Sequence, residues 1–300
     1  MDFLAKFRNL DQLWNPADVL ASEAVFNGLL PDAHKLTGKD RSFLIELLSL
    51  IGRSEAFQMK FSQAASSLEK AETLLNEQNS NYLVSARIRW LIEKGRFYIL
   101  KKTPSQARGL FSEAWTLAIN SGEDYFAVEI AQLMATSEPE KAQQEWIVRS
   151  LEIAENSSNQ KTKEWLGGLY TGYGWKLFDL RQYEKSLEIF QKALQNFKAR
   201  GPSRGAFVAQ WAIGKTLRAL GKTEEALSVQ KALLAELGIG GVRDGRLYEE
   251  LAECLQTLHR TTEAQLYFEL AYRELSNEEW VKDNQSLKLK RLKDLGKVKG

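Results

Sequence analysis

Residues 170–193, YTGYGWKLFDLRQYEKSLEIFQKA, place small and bulky side chains at fixed intervals along two successive apolar segments. Gly174 stands twelve residues before Ser186, and Phe190 and Ala193 follow four and three residues later. Spacings of three and four residues put Ser186, Phe190 and Ala193 on one face of a helix. Small residues on that face let two helix backbones approach closely, while the ring fills the space beside them. The stretch therefore predicts a tightly packed helix pair.

The same pattern occurs six times, which predicts a repeat array instead of a single globular core. Its second-helix signatures are Ala64/Leu68/Ala71, Ala107/Phe111/Ala114, Ala142/Trp146, Ser186/Phe190/Ala193, Ala226/Gln230/Leu233 and Ala264/Phe268/Ala271. The preceding small residues are Gly52, Gly95, Ala131, Gly174, Gly214 and Ala252, with one residue fewer in the turn after Ala131. Glycine inside a helix costs about 1 kcal/mol relative to alanine, so its recurrence indicates a packing requirement.

The pattern resembles the tetratricopeptide repeat (TPR), a helix pair with Gly or Ala in its first helix and Ala, an aromatic residue and Ala in its second. Gly95/Tyr98, Tyr183/Phe190/Ala193 and Gly214/Ala226 carry the resemblance most clearly. It extends over about residues 45 to 278, and the whole chain is similar to stand-alone bacterial TPR proteins. The resemblance implies an all-α fold, a right-handed superhelical solenoid of about six helix pairs with capping helices at both ends.

We therefore divide the chain into an N-terminal capping segment (1–44), the repeat array (45–278) and a C-terminal basic capping helix (279–300). In the first segment Leu20, Val25, Leu29 and Leu30 are predicted to face inward. No strand-like alternation occurs. The apolar periodicity and the prolines predict helices over 16–30, 40–57, 61–77, 81–102, 104–121, 123–136, 139–156, 161–180, 183–199, 203–220, 223–237, 243–258, 261–275 and 278–295.

Charge and cysteine content exclude several classes of protein. The formal net charge is only +2, so no global field favours nucleic acid or an anionic membrane. The last 20 residues carry a net +5, and a basic helix of this kind could touch RNA or anionic lipid; we favour a solvated capping helix. The single cysteine, Cys254, fits a reducing compartment and a buried position. Without a signal-like or membrane-spanning apolar run, we expect a cytoplasmic protein.

Catalytic and cofactor motifs are weak. His34 and His259 each lack a nearby metal-ligating partner, and no nucleophile elbow occurs. Gly214-Lys215-Thr216 imitates the end of a phosphate-binding loop, but Ala209 stands where the first glycine should be. Residues 238–241, GIGG, follow a helix and are predicted to form a turn. We expect no enzyme activity, no metal and no cofactor.

The resemblance implies that the first helix of each pair lines a concave ligand groove. Carrying over its groove positions gives Arg53, Arg89, Arg96, Tyr125, Thr171, Trp175, Trp211, Lys215, Arg218, Glu249 and Glu253. Arginine and lysine pair with carboxylates, and exposed aromatic rings are favoured anchors at recognition surfaces. We therefore predict a non-catalytic scaffold for a protein or peptide with acidic and apolar side chains, its acidic end near Arg89 and Arg96.

Three alternatives stay open. The basic residues could simply pair with glutamates of the neighbouring repeat, the usual state of such charges. The chain could be a receptor of the long-period TPR type, which tightens around a peptide or small effector and acts through a partner protein. A nucleic-acid-associated or enzymatic role is the least favoured. Ser49 and Ile92 stand where the chaperone-binding carboxylate clamp needs Lys, and Arg53 and Arg96 where it needs Asn, so that clamp is not reproduced.

Overall fold

The computed structural model describes residues 10–77, 83–201, 203–240 and 243–298, and within these ranges the chain is helical, without strands. Short 3-10 helices occupy Leu10–Leu13 and Gly38–Asp40. The α-helices are α1 (Val19–Ala33), α2 (Arg41–Phe57), α3 (Phe61–Glu77), α4 (Val84–Leu100), α5 (Pro104–Ser121), α6 (Asp124–Ser137), α7 (Glu140–Asn156), α8 (Gln160–Lys163), α9 (Leu166–Asp179), α10 (Tyr183–Lys198), α11 (Arg204–Ala219), α12 (Thr223–Gly240), α13 (Gly245–Thr257), α14 (Thr261–Leu275), α15 (Glu279–Asn284) and α16 (Ser286–Leu295).

These helices form two compact units, Met1–Lys163 (unit 1) and Glu164–Gly300 (unit 2). Unit 1 holds three helix pairs, α2/α3, α4/α5 and α6/α7, with α1 packed against α2. Unit 2 holds α9/α10, α11/α12 and α13/α14, with α16 packed against α14. Each pair also packs on the next pair in its unit. The prediction of an all-α fold made of consecutive TPR-like helix pairs is confirmed.

The glycines of the repeat lie at the closest approach of the two helices in a pair. A Cβ atom added at Gly52, Gly95, Gly174 or Gly214 would come within 2.9, 2.3, 2.6 and 2.3 Å of Leu68, Phe111, Phe190 and Gln230, respectively. In each pair that neighbour is the central residue of the second-helix signature. The four neighbours are buried, so little room exists for them to move aside. The packing role predicted for the recurrent glycines is confirmed.

A second repeated feature is the turn inside each pair. Seven residues after the small residue the backbone takes the left-handed conformation, with φ near +60° to +80°, at Met59, Lys102, Arg181, Gly221 and His259. The third pair differs, as its shorter sequence predicted: Glu138 is extended (φ −92°, ψ 158°) between α6 and α7. Only one of the five left-handed positions is occupied by glycine, the residue that takes this conformation without a steric cost.

Gly221→Ala should therefore lower the free energy of unfolding by about 1–2 kcal/mol, the cost of a left-handed L-residue. Gly172→Ala is the matched control, because Gly172 lies in α9 with no heavy atom within 4 Å of an added Cβ. That substitution should stabilise by roughly 0.5–1 kcal/mol. Urea denaturation of both variants measures the difference, and equal effects of the same sign would contradict the turn assignment.

The first helix differs from its prediction. It covers Val19–Ala33 and keeps Pro31 in its last turn, where proline has no N–H to donate to the carbonyl four residues earlier. Leu20 and Val25, predicted to face inward, are 65% and 44% exposed. The inward face runs through Ser22, Phe26, Leu29 and Ala33 instead, since this set follows the helical period toward α2.

Three other secondary-structure predictions were wrong. The helix predicted over 161–180 is divided at Glu164–Trp165 into α8 and α9, and the one over 278–295 is divided at Gln285 into α15 and α16. The turn predicted at 238–241 is helical as far as Gly240, because α12 continues through it; Gly241 lies outside the described residues. The N-terminal capping segment falls within unit 1 and the C-terminal one within unit 2. That these segments are separate domains stays a prediction.

Candidate functional site on the first helices

The first helices of the pairs carry all the predicted groove residues. We call the surface of α2, α4 and α6 the unit 1 face, and that of α9, α11 and α13 the unit 2 face. Arg53, Arg89, Arg96 and Tyr125 belong to the unit 1 face, and Thr171, Trp175, Trp211, Lys215, Arg218, Glu249 and Glu253 to the unit 2 face. All except Arg89 keep partial exposure. Ser49 and Ile92, which occupy groove positions in the same register, are fully buried.

Arg89 is the centre of a buried ion cluster. Only 2% of its side chain is exposed, and its guanidinium lies 3.3 Å from Glu129 and 3.6 Å from Glu93. Its Nη2 donates to Asp11 at 2.6 Å, and the group lies 4.7 Å from the centre of the Phe126 ring. Arg89 was predicted to contact a ligand; in this structure the carboxylates that surround its charge belong to the chain itself, and a ligand contact stays a prediction.

Three other basic residues, Arg53, Arg96 and Lys215, follow one rule. The residue after the small position pairs with a buried glutamate that stands two residues before the small position of the next pair. These ion pairs are Arg53–Glu93 at 3.6 Å, Arg96–Glu129 at 2.6 Å and Lys215–Glu250 at 3.4 Å. Arg218 also donates to Glu250, with its Nη2 at 3.2 Å. The faces therefore contain a ladder of ion pairs between repeats, the first of the alternatives that the sequence left open.

The unit 1 face is occupied by residues that precede the first helix. Asp11 places one carboxylate oxygen 2.6 Å from Arg89 and the other 2.7 Å from Lys161 of α8. Three residues later, the Trp14 ring lies under the Arg53 guanidinium at 4.1 Å and against Phe57 with 5.5 Å between ring centroids. An acidic side chain and an aromatic side chain of the chain itself thus lie among the predicted groove residues.

The charges of this cluster shift one another's pKa values. Burial raises the pKa of Asp11, but Arg89 and Lys161 outweigh it, so the pKa lies below its usual range. Burial likewise opposes ionisation of Glu129, and Arg89 and Arg96 lower its pKa overall. Desolvation raises the pKa of Glu46 to about 6, which Arg89 opposes and Asp11 reinforces. Burial and the Asp11 charge both raise the pKa of Tyr125, so its hydroxyl stays neutral.

The unit 2 face presents aromatic rings instead. Trp175 of α9 and Trp211 of α11 are half-buried, with 5.5 Å between their ring centroids. Trp175 also packs edge-on against Phe190, and Trp211 donates its indole N–H to the Arg246 carbonyl at 3.2 Å. Lys215 lies 5.5 Å from the Trp211 ring centre. The two tryptophans are therefore held in fixed positions by neighbouring repeats, with part of each ring open.

The acidic end of the unit 2 face is covered by the C-terminal helix. Lys288 of α16 lies 2.6 Å from Glu249, and Arg291 of the same helix pairs with Glu253. Leu292, on the same helix, is fully buried. Basic residues of the tail thus neutralise the two glutamates that were predicted to line the groove.

No described residues form a group of three or more His, Cys, Asp or Glu side chains suited to a metal ion. Cys254 is buried, as the sequence predicted, and burial raises the pKa of its thiol to about 12, so it stays protonated. In the described part of the chain no helix has the combined length and apolarity that a bilayer crossing requires.

Sequence reasoning missed six residues at these faces: Asp11, Trp14, Glu93, Glu129, Lys161 and Glu250. A signal for the three glutamates existed, since Glu93, Glu129 and Glu250 each stand two residues before a small residue of the repeat. Nothing local marked Asp11, which is 78 positions from Arg89 and 150 from Lys161 in the chain.

Comparison with known proteins gives a result for the fold alone. The chain is similar to BtubC from P. vanneervenii, with 12% identity, a TM-score of 0.57, and coverage of 75% of this chain and 94% of that protein. It is similar also to the C-terminal part of a TPR repeat-containing protein from Cytophaga hutchinsonii, with 13% identity, a TM-score of 0.53, and coverage of 93% and 99%. No protein-family model and no curated protein sequence matches. The chain therefore has the fold of a TPR protein.

Proposed function

We propose that the chain is a non-catalytic scaffold that binds a protein or peptide through the faces of its first helices. The observation that carries the proposal is the pair of half-buried tryptophans, Trp175 and Trp211, on adjacent first helices. Rigid, partly exposed aromatic rings supply contact area at a low entropic cost and are enriched among the residues that dominate binding energy.

The charges beside the tryptophans define the chemistry of the partner. Lys215 and Arg218 share one buried carboxylate, Glu250, and Lys215 lies beside the Trp211 ring, so a positive charge adjoins the rings. A partner segment with an acidic side chain near an apolar or aromatic one complements this arrangement. The proposal makes nucleic acid an unfavoured partner, because α16 uses Lys288 and Arg291 for pairing within the chain.

Selection of a displayed random-peptide library on the full chain tests this function. We expect enrichment of peptides that combine acidic and apolar residues. Trp211→Ala should weaken a selected peptide at least about fivefold, the effect of losing an aromatic anchor worth more than about 1 kcal/mol. Fluorescence anisotropy with a labelled peptide measures the dissociation constant.

Trp280→Ala is the matched control, because Trp280 is a tryptophan of α15 that is 60% exposed and lies on no first helix. It should leave the affinity unchanged, and circular dichroism should show the same helicity in both variants. Equal affinities of Trp211→Ala and wild type, or enriched peptides without acidic residues, would argue against the unit 2 face.

A further inference from the structure

The segment Leu10–Trp14 occupies the unit 1 face as a ligand would. Two side chains anchor it there: Asp11, between Arg89 and Lys161, and Trp14, between Arg53 and Phe57. They combine an acidic group with an apolar ring, the chemistry predicted for an external partner. The segment precedes α1 and has no place in the helix-pair repeat.

The charge balance of the face depends on this segment. Within the ion-paired cluster, Arg53, Arg89, Arg96 and Lys161 supply four positive charges, against the carboxylates of Glu93 and Glu129. Asp11 adds a third carboxylate and links two helices, α4 and α8. A face that lacks one carboxylate when empty selects an acidic side chain at that point.

The segment contacts the repeat helices through its side chains. Among the described residues, the backbone hydrogen bonds of Leu10–Trp14 are local, such as Trp14 N–H to the Asp11 carbonyl at 3.2 Å, and none joins the segment to a repeat helix. Beside Trp14, the exposed Phe57 ring and Arg96 line an open cleft of about 580 Å³ that extends toward Leu133. A competing segment can therefore enter next to the bound one.

We propose that the unit 1 face is a peptide-binding site whose resident ligand is the chain's own Leu10–Trp14, and that its partner is a peptide with an acidic residue followed three positions later by tryptophan. The partner displaces the resident segment, because both need Arg89, Lys161 and Arg53. This inference rests on the proposed function as a peptide scaffold, but it concerns the other face.

The test uses a fluorescent synthetic peptide with the sequence of residues 10–18, LDQLWNPAD. In the full chain the tethered segment competes at an effective concentration on the order of millimolar, so wild type should bind the peptide weakly. The double variant Asp11→Lys/Trp14→Ala frees the face and should bind it at least about tenfold more tightly. Adding Lys161→Glu to the double variant should abolish the gain, whereas Lys70→Glu, on the exposed surface of α3, should leave it intact.

Equal peptide affinity in wild type and in the folded double variant would overturn the inference, and so would a gain that Lys161→Glu does not remove. If circular dichroism shows that the double variant loses helicity, the single variant Asp11→Asn serves as the test. We expect it to bind the peptide severalfold more tightly than wild type, and an unchanged affinity would overturn the proposed site. A wild-type dimer that dissociates in Asp11→Asn would also overturn it, since the segment would then serve a second copy. In each of these outcomes the library peptides that depend on Trp211 should still bind the unit 2 face. The proposed function is therefore tested independently of this inference.

Discussion

Arg89→Met is expected to lower the free energy of unfolding by about 3–5 kcal/mol, the usual cost of removing one partner from a buried ion cluster. Methionine retains most of the side-chain volume, so the loss measures charge and hydrogen bonding more than packing. Without the guanidinium, Glu129 retains its ion pair with Arg96, and Asp11 retains its ion pair with Lys161, but each loses its contact with the central charge. Urea denaturation monitored by circular dichroism measures the change.

Two variants control this prediction. Arg108→Met removes an arginine whose side chain is 56% exposed and pairs with Glu138, and it should cost no more than about 1 kcal/mol. Arg89→Lys keeps the charge but loses the planar fork that reaches Asp11 and Glu129 together. Its cost in free energy of unfolding should therefore lie between those of Arg89→Met and Arg108→Met. Equal costs for Arg89→Met and Arg108→Met would mean that the buried cluster contributes no more than a surface pair.

The helix pairs could be predicted from the sequence because one local pattern is repeated. The small residue, the bulky residue sixteen positions later and the turn between them belong to a single helix pair, so all the information lies within a short window. The predicted boundaries of α3, α5 and α14 agree with the structure at both ends. Prediction failed where a helix has no repeat partner to set its rotation: Leu20 and Val25 of α1 face solvent.

The candidate site was only partly predictable, since a periodic pattern assigns a residue to a helix face but does not say what covers that face. Arg89 and Arg53 stand on first helices, as predicted; the segment that buries one and stacks on the other comes from outside the array. The opposite end of the chain behaves alike, with Lys288 covering Glu249. Asp11 thus brings a negative charge to basic residues of unit 1, and Lys288 brings a positive charge to an acidic residue of unit 2. Such pairs depend on the path of the chain, so a local sequence pattern cannot predict them.

The α4/α5 pair allows the packing rule of the repeat to be tested with opposite signs. Gly95→Ala should lower the free energy of unfolding by about 1–3 kcal/mol, because its Cβ would lie 2.3 Å from the Phe111 ring, which is fully buried. Gly109→Ala, on the exposed side of α5, meets no heavy atom within 4 Å and should stabilise by roughly 0.5–1 kcal/mol through helix propensity.

Both substitutions add the same methyl group to a helix interior, so the difference between them isolates the close approach of α4 and α5. Urea denaturation gives both free energies, and Gly95→Ala combined with Phe111→Leu separates the clash from other effects. If the ring causes the loss, the double variant should cost less than the sum of the two single variants, since leucine leaves space for the new methyl group. Additive costs, or stabilisation by Gly95→Ala, would show that the glycine is not required for packing and would remove the physical basis of the repeat.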